Sequence, residues 1–421
     1  MIRNFLKRME EDELIKDGFI LTFGTMISSV LTFVFHFYTG RALGPASYGI
    51  FSALLALVYV MSVLTNTVQM SITNFVARLG SSDAIAQVRD LAFRSIKKLS
   101  VLGVGFAVLI LILSPFIAKF LHIDTIYVSM LAPLAFFLIV LPLNRGLLQG
   151  LQRFKPLSLN MATDGVVKLL VGVLLISVLG LGVNGATFAF TASIAIPFFL
   201  AFLALKDVFD TKAERKHIQS NTIYKSTMPI FLFLLSVTIF YTIDIVLVKH
   251  FFEETVAGHY GAGSLLGKII FFGMLPLIQV MYAKVSKIKQ VTKESLAFLK
   301  KTILLIITAG VILSSIYFLF SNAIINIVFG PDYGPTTELL GWFGLVMGLF
   351  TIVYALSQFL LAVHKKKFII GLFVFNIIEV LLIWFYHPSL LAILKALFGL
   401  LIVMTFFLSV AVVRRKRNVV V

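Results

Sequence analysis

Positive charge changes side with every apolar run along this 421-residue chain, and that alternation constrains its fold more than any other feature. Twelve apolar runs are read, at approximately 18–39, 49–76, 99–121, 126–144, 157–179, 184–205, 226–250, 260–283, 302–322, 337–361, 368–386 and 390–412. Each is close to the ~20 residues that a helix needs to cross a bilayer. Every second gap is basic. Together with the chain ends, these gaps hold thirty of the 36 Lys and Arg residues, from Arg3, Lys7, Arg8 and Lys16 to Arg414, Arg415, Lys416 and Arg417. The intervening gaps hold Arg41 as their one basic residue, with Asp124, Glu253, Glu254 and Asp332. Basic gaps face the cytoplasm under the positive-inside rule, so both termini are expected there and the number of crossings is expected to be even.

Composition agrees with that reading. Hydrophobic residues make up 59% of the chain and charged residues 13%, against about 25% charged in soluble domains. A soluble enzyme, a secreted disulfide scaffold and a disordered chain are all excluded. Without cysteine there is no disulfide, no thiolate catalysis and no cysteine-held metal. A net charge of +17 would point to nucleic acid in a soluble protein. Here the charge flanks apolar runs, so membrane lipids are the expected partner and nucleic acid is not.

The run after Asp17 reads as a retained helix, because its flanks do not resemble a cleavage site. The gaps on the non-basic side are short, which leaves little room for an outer catalytic loop and argues against an enzyme. The seven histidines are scattered, so no metal site is expected. The stretch Gly261-Ala-Gly-Ser-Leu-Leu-Gly-Lys268 has the wrong glycine spacing for a phosphate loop and lies in a span.

The polar gap at 206–225 sits at the midpoint and reads as a cytoplasmic linker. It divides an N-terminal six-helix lobe (1–205) from a C-terminal one (226–421) with a basic tail. A shift of 212 places Tyr48-Gly49 on Tyr260-Gly261, Leu148 on Leu360, and Arg153 and Lys155 on Lys365 and Lys367. Halves of six crossings share an orientation, as in parallel-repeat transporters. Residues 1–17 place Ile2, Phe5, Leu6 and Met9 on one face and fit an interfacial helix. The fold class is therefore an all-α polytopic membrane protein with twelve transmembrane helices in two pseudo-symmetric lobes.

Charge deep in a membrane is costly and usually faces a bundle interior or a wet cavity. Asp164 and Lys168 in span 5, Asp244 in span 7, Lys268 in span 8 and Glu379 in span 11 are the deep candidates. Asp164 and Lys168 are i,i+4 neighbours that can neutralise each other. Asp244 and Lys268 lie at similar depth on adjacent spans and are expected to be close. Glu379 has Asn376 one turn away and reads either as a protonated, hydrogen-bonded carboxyl or as a proton-coupling group. Asn66, Gln69, Thr73 and Asn74, ending at Arg78, form a polar face on span 2 that suits a cavity wall better than a helix seam.

Between spans 1 and 2 runs Gly40-Arg41-Ala42-Leu43-Gly44-Pro45-Ala46-Ser47-Tyr48-Gly49-Ile50-Phe51. This segment, with its Arg41, Gly44, Tyr48 and Gly49, resembles the opening motif of the O-antigen type polysaccharide flippases. Those belong to the multidrug/oligosaccharidyl-lipid/polysaccharide exporter superfamily. Asp244 followed by Val256-Ala257-Gly258-His259-Tyr260, Phe329-Gly330-Pro331-Asp332-Tyr333 and Gly146-Leu147-Leu148-Gln149-Gly150-Leu151-Gln152-Arg153-Phe154 are similar to later segments of that family.

The resemblance implies two lobes forming a V around a cavity lined mainly by spans 1, 2, 7 and 8. It also implies a prokaryotic cell-membrane flippase that moves polyprenyl-(di)phosphate-linked oligosaccharide to the outer leaflet by alternating access. Such a head group needs a polar, partly cationic cavity, for which Asn66, Gln69, Asn74, Arg78 and Lys268 are the candidates. Asp164, Lys168, Asp244 and Glu379 are candidates for buried pairs or for coupling to H+ or Na+, and no other cofactor is expected. Glycosyltransferases or a polymerase of the same pathway are the protein partners implied. A multidrug or cation antiporter of the same superfamily is the alternative, and it would put weight on Asp164, Asp244 and Glu379.

Overall fold

The computed structural model describes residues 13–77, 84–210 and 221–413, and every regular element among them is helical. The first half comprises α1 (Glu13–Val76), α2 (Ala84–Leu121), α3 (Thr125–Ser129), α4 (Leu131–Gly150), α5 (Phe154–Val173), α6 (Gly182–Ala204) and α7 (Lys206–Asp210). A π turn over Leu174–Val178 prolongs α5. The second half comprises α8 (Asn221–Phe240), α9 (Ile243–Phe251), α10 (Glu254–Ile288), α11 (Lys293–Leu319) and α12 (Ser321–Val328). After a 3-10 turn at Pro331–Thr336 come α13 (Thr337–Ala362), α14 (Phe368–Phe385) and α15 (Leu390–Val413). Eleven stretches of the described residues are long and apolar enough to cross a membrane. Helices suit that solvent because each satisfies its own backbone hydrogen bonds. The protein is a multi-pass membrane protein.

The first of these stretches runs for 60 residues, Asp17–Val76, which is about 90 Å of helix and roughly three bilayer cores. The sequence reading leaves 40–48 as a loop. Instead the helix continues through it, broken only at Gly44 (φ 70, ψ 170). Glycine takes that conformation without a Cβ clash, and Pro45 fits the first turn of the restarted helix because no N–H is needed there. Other ends differ for one reason: hydropathy marks the apolar part of a helix, while the backbone continues into polar flanks. Thus α2 starts at Ala84 rather than 99, and α4 ends at Gly150 rather than 144. Span 7 is divided into α8 and α9 around Tyr241 and Thr242.

The described residues form two compact units. One contains the chain up to Leu43 with Leu57–Phe231; the other contains Gly44–Ala56 with Leu232–Val421. In the second unit the restarted half of α1 crosses α10 at glycines. A Cβ on Gly49 would lie 2.1 Å from the Glu254 carbonyl oxygen, and one on Gly258 would lie 1.9 Å from that of Pro45. On Gly261 it would meet the Ser52 Oγ at 2.6 Å. Small residues let helix backbones approach this closely in membranes. Tyr48 is buried beside this crossing against the rings of Phe329 and Tyr333, with centroids 5.8 and 6.2 Å away.

The 212-residue repeat is visible in local geometry. Helix α4 ends with Gln152 at φ 57, and α13 ends with His364 at φ 58. In one turn Arg153 N donates to Leu148 O (2.8 Å) and Gln152 N to Gln149 O (3.1 Å). In the other, Lys365 N donates to Leu360 O (3.0 Å) and His364 N to Leu361 O (3.0 Å). Both are the paired cap that closes a helix through a left-handed residue. The basic residue after each turn then reaches a carbonyl near the end of a later helix: Arg153 to Ala204 O (2.9 Å), and Lys365 to Ala411 O.

Of the linker read at 206–225, the described ends are helical, as α7 and the start of α8. Its centre, the interfacial helix read at 1–17 apart from its last few residues, and Arg78 lie outside the described residues.

Candidate functional site

Among the described residues, each unit holds charge inside its apolar helices. In the first unit Asp164 of α5 lies between two cations, with Lys168 Nζ 3.2 Å from its Oδ1 and Arg145 Nη2 3.4 Å from its Oδ2. One helical turn separates Asp164 from Lys168, which is why their side chains meet. Arg145 comes from α4, and its Nε donates to Asn160 Oδ1 at 2.8 Å. Lys168 also donates to Thr32 Oγ1 of α1 (3.3 Å) and sits 4.6 Å from the centroid of the Phe190 ring. Two cations share one carboxylate, so the cluster is cationic. The sequence reading assigns Arg145 to a gap; the continuation of α4 carries it to Asp164 instead.

In the second unit the break between α8 and α9 puts Asp244 in the first turn of α9. There the free backbone N–H groups and the helix dipole favour negative charge. Asp244 Oδ1 accepts from Ile245 N at 2.8 Å, and Oδ2 accepts from the Tyr260 hydroxyl at 2.9 Å. Lys268 is 3% exposed, with its Nζ 5.4 Å from the Tyr241 ring centroid, and Asp244 is its electrostatic neighbour. Glu379 of α14 is fully buried and within electrostatic reach of Asp244 and Tyr260. Asp244 of α9 and Tyr260 of α10 are therefore joined by a hydrogen bond, with Lys268 and Glu379 within electrostatic reach of Asp244.

Among the described residues neither Glu379 oxygen has a hydrogen-bond partner. Asn376 turns away, donating through Nδ2 to the carbonyl and the hydroxyl of Ser236, each at 3.0 Å. Sequence reasoning did not single out Tyr260 as a partner of Asp244.

The remaining candidates lie elsewhere. Gln69 donates to Gln149 Oε1 at 3.0 Å, which Thr73 Oγ1 also reaches at 3.2 Å, tying α1 to α4. Asn66 and Asn74 are exposed on α1, and Arg41 is exposed just before the Gly44 break. Gly44, Tyr48 and Gly49 shape the restart and crossing of α1. Among the described residues no group of His, Asp and Glu could hold a metal ion.

One further ion pair lies outside the apolar stretches. Arg153 clamps Asp207 of α7 through both guanidinium nitrogens, with Nη1 2.7 Å from Oδ1. The hydrogen bonds from Arg153 hold the Asp207 carboxyl below the usual carboxylate range, and the same pairing raises Arg153.

The fold is that of known transporters. An inward-facing multidrug resistance MATE family transporter of the MOP superfamily superposes with a TM-score of 0.77 at 14% identity, over 96% of this chain and 99% of that one. The lipid II flippase MurJ in an inward closed conformation gives 0.71 at 14% identity, over 94% and 87%. An uncharacterised membrane protein of Methanocaldococcus jannaschii is 25% identical over 309 residues, 69% of this chain and 72% of its own length. The family model described as polysaccharide biosynthesis protein matches residues 14–289, and the chain belongs to that family.

Proposed function

We propose that the protein is a flippase which moves a polyprenyl-(di)phosphate-linked oligosaccharide from the cytoplasmic to the outer leaflet by alternating access. Membership of the polysaccharide biosynthesis family carries the reading, on a fold shared with a lipid II flippase. The charge clusters support it physically. A diphosphate is best held by charge-assisted hydrogen bonds from cations, and Arg145 and Lys168 outnumber the single carboxylate between them. In this reading Lys268, Arg78, Asn66, Gln69 and Asn74 meet the head group, and the lipid tail stays in the bilayer. Asp244 and Glu379 couple transport to H+ or Na+. The protein catalyses no covalent step, and its partners are lipid-linked oligosaccharide and the enzymes of the same pathway.

The topology proposed with it has twelve crossings in two six-helix lobes, 1–205 and 226–421. The Gly44 break inside the 60-residue stretch, one of eleven apolar stretches, supports reading that stretch as two crossings. Both termini and the linker are then cytoplasmic in the cell membrane. A multidrug or cation antiporter is the second reading, favoured by the MATE likeness along the chain and by the buried carboxylates Asp244 and Glu379.

Proteoliposomes holding the full chain separate the two. Translocation of lipid-linked oligosaccharide without efflux of a cationic dye is the expected result; dye efflux alone overturns it. Arg78→Gln and Lys268→Gln are expected to reach the membrane at normal levels and lose translocation.

A further inference from the structure

The turn after α13 opens onto a cleft of about 820 Å³ that the proposed transport path does not use. Its mouth is His364, Lys365, Lys366 and Lys367, and its walls are apolar side chains of α14 and α15. Phe375 and Phe407 meet at its floor with ring centroids 5.7 Å apart. Gly371 makes room for the Phe407 ring, since a Cβ there would lie 2.6 Å from Cε1. On the open side Val403 and Phe406 are exposed on a helix apolar enough to span a membrane.

The charge of this mouth distinguishes it from its repeat. In the first unit the corresponding turn carries Arg153, and Asp207 answers it. In the second, Lys365 caps the Ala411 carbonyl, Lys366 and Lys367 are exposed, and no acidic residue is among the described residues that line the cleft. A basic pocket between transmembrane helices on the cytoplasmic side is suited to an anionic lipid head group. The apolar walls suit an acyl chain. The volume is in the range of small-molecule sites.

We propose that this cleft binds an anionic phospholipid, with its phosphate at Lys366 and Lys367 and one acyl chain along Phe375, Val403 and Phe407. The lipid bridges α14 and α15 on the lysine-rich side, whose cytoplasmic assignment rests on the topology proposed above. The basic tail is a poor occupant, because its charge repeats that of the mouth.

Native mass spectrometry of the full chain in detergent tests this, with dioleoyl phosphatidylglycerol and dioleoyl phosphatidylcholine as probes. The anionic lipid is expected to be retained and the zwitterionic one not. Lys366→Gln/Lys367→Gln is expected to weaken retention roughly thirtyfold, since each lysine near an anionic surface contributes about fivefold. Val403→Trp, which fills the groove and leaves the lysines in place, is expected to lose retention too. Monodisperse elution and an unchanged Tm show that each variant is folded, and either variant decides if the other is not.

Equal retention of both lipids overturns the proposal, as does unchanged retention in a folded variant. Stronger phosphatidylglycerol binding after removal of residues 414–421 would identify the tail as the occupant. Displacement by undecaprenyl phosphate at lower concentration, lost in the same variants, would identify the substrate lipid instead. Retention is read without transport, so failure here is distinct from failure of the flippase reading.

Discussion

Asp164 shows how one residue can hold three helices. It joins Arg145 of α4 to Lys168 of α5, and Lys168 in turn reaches Thr32 of α1. Removing one member of a largely buried ionic cluster leaves uncompensated charge and costs up to about 3–5 kcal/mol. Asp164→Asn is therefore expected to lower the Tm in detergent sharply, while Asp164→Asn/Lys168→Met recovers part of the loss. A Tm unchanged in the single variant would count against the cluster. Asp207 behaves differently because its side chain is 56% exposed. Its carboxyl is lowered by hydrogen bonds from Arg153, so the pair contributes stability above the ordinary carboxylate range near pH 4. That contribution is lost as pH falls through the lowered value. Solvent screening holds it to about 1 kcal/mol or less. Asp207→Asn is expected to shift Tm slightly at pH 7 and to match the wild type in strong acid, as scanning calorimetry across pH would show.

At the scale of elements, the crossing of α1 and α10 depends on the absence of side chains. A Cβ on Gly258 would meet backbone, the Pro45 carbonyl, and backbone cannot rotate aside as a flexible side chain can. Overpacking of this kind costs about 1–3 kcal/mol or more. Gly258→Ala is expected to lower Tm by such an amount, and Gly273→Ala, with nothing within 4 Å of its Cβ, by far less. Equal shifts in the two variants would contradict a tight crossing. The matched caps at Gln152 and His364 show the same economy, since one turn geometry ends a helix in both units. The two turns differ in the company of their basic residues: Arg153 has Asp207 as partner, whereas Lys366 and Lys367 border a cleft whose described lining is otherwise mostly apolar.

For the whole molecule, the charge bias predicts that one set of gaps faces the cytoplasm. The chain has no cysteine, so single cysteines can be placed without altering a native one. A cysteine at Ser220 in the central linker is expected to react only after the membrane is permeabilised, and one at Asp332 to react from outside. The reverse pattern would overturn the topology. Membrane insertion itself was legible in the sequence, because apolar length and flanking charge are one-dimensional quantities that a bilayer reads directly. Asp164 and Lys168 were equally legible, since their meeting is set by one helical turn. The repeat was visible too, in the Tyr48/Tyr260 match and in the basic residues after α4 and α13. Other features depended on neighbours distant in the chain. No local signal carries α4 far enough for Arg145 to reach Asp164, turns Asn376 to Ser236, or pairs Tyr260 with Asp244. The Gly44 motif was visible, but the continuity of helix on both sides of it and the docking of Gly44–Ala56 in the second unit were not. Hydropathy and charge fix which segments enter the membrane, whereas the partners of a buried polar group are chosen by helix packing, which brings together residues that the sequence keeps far apart.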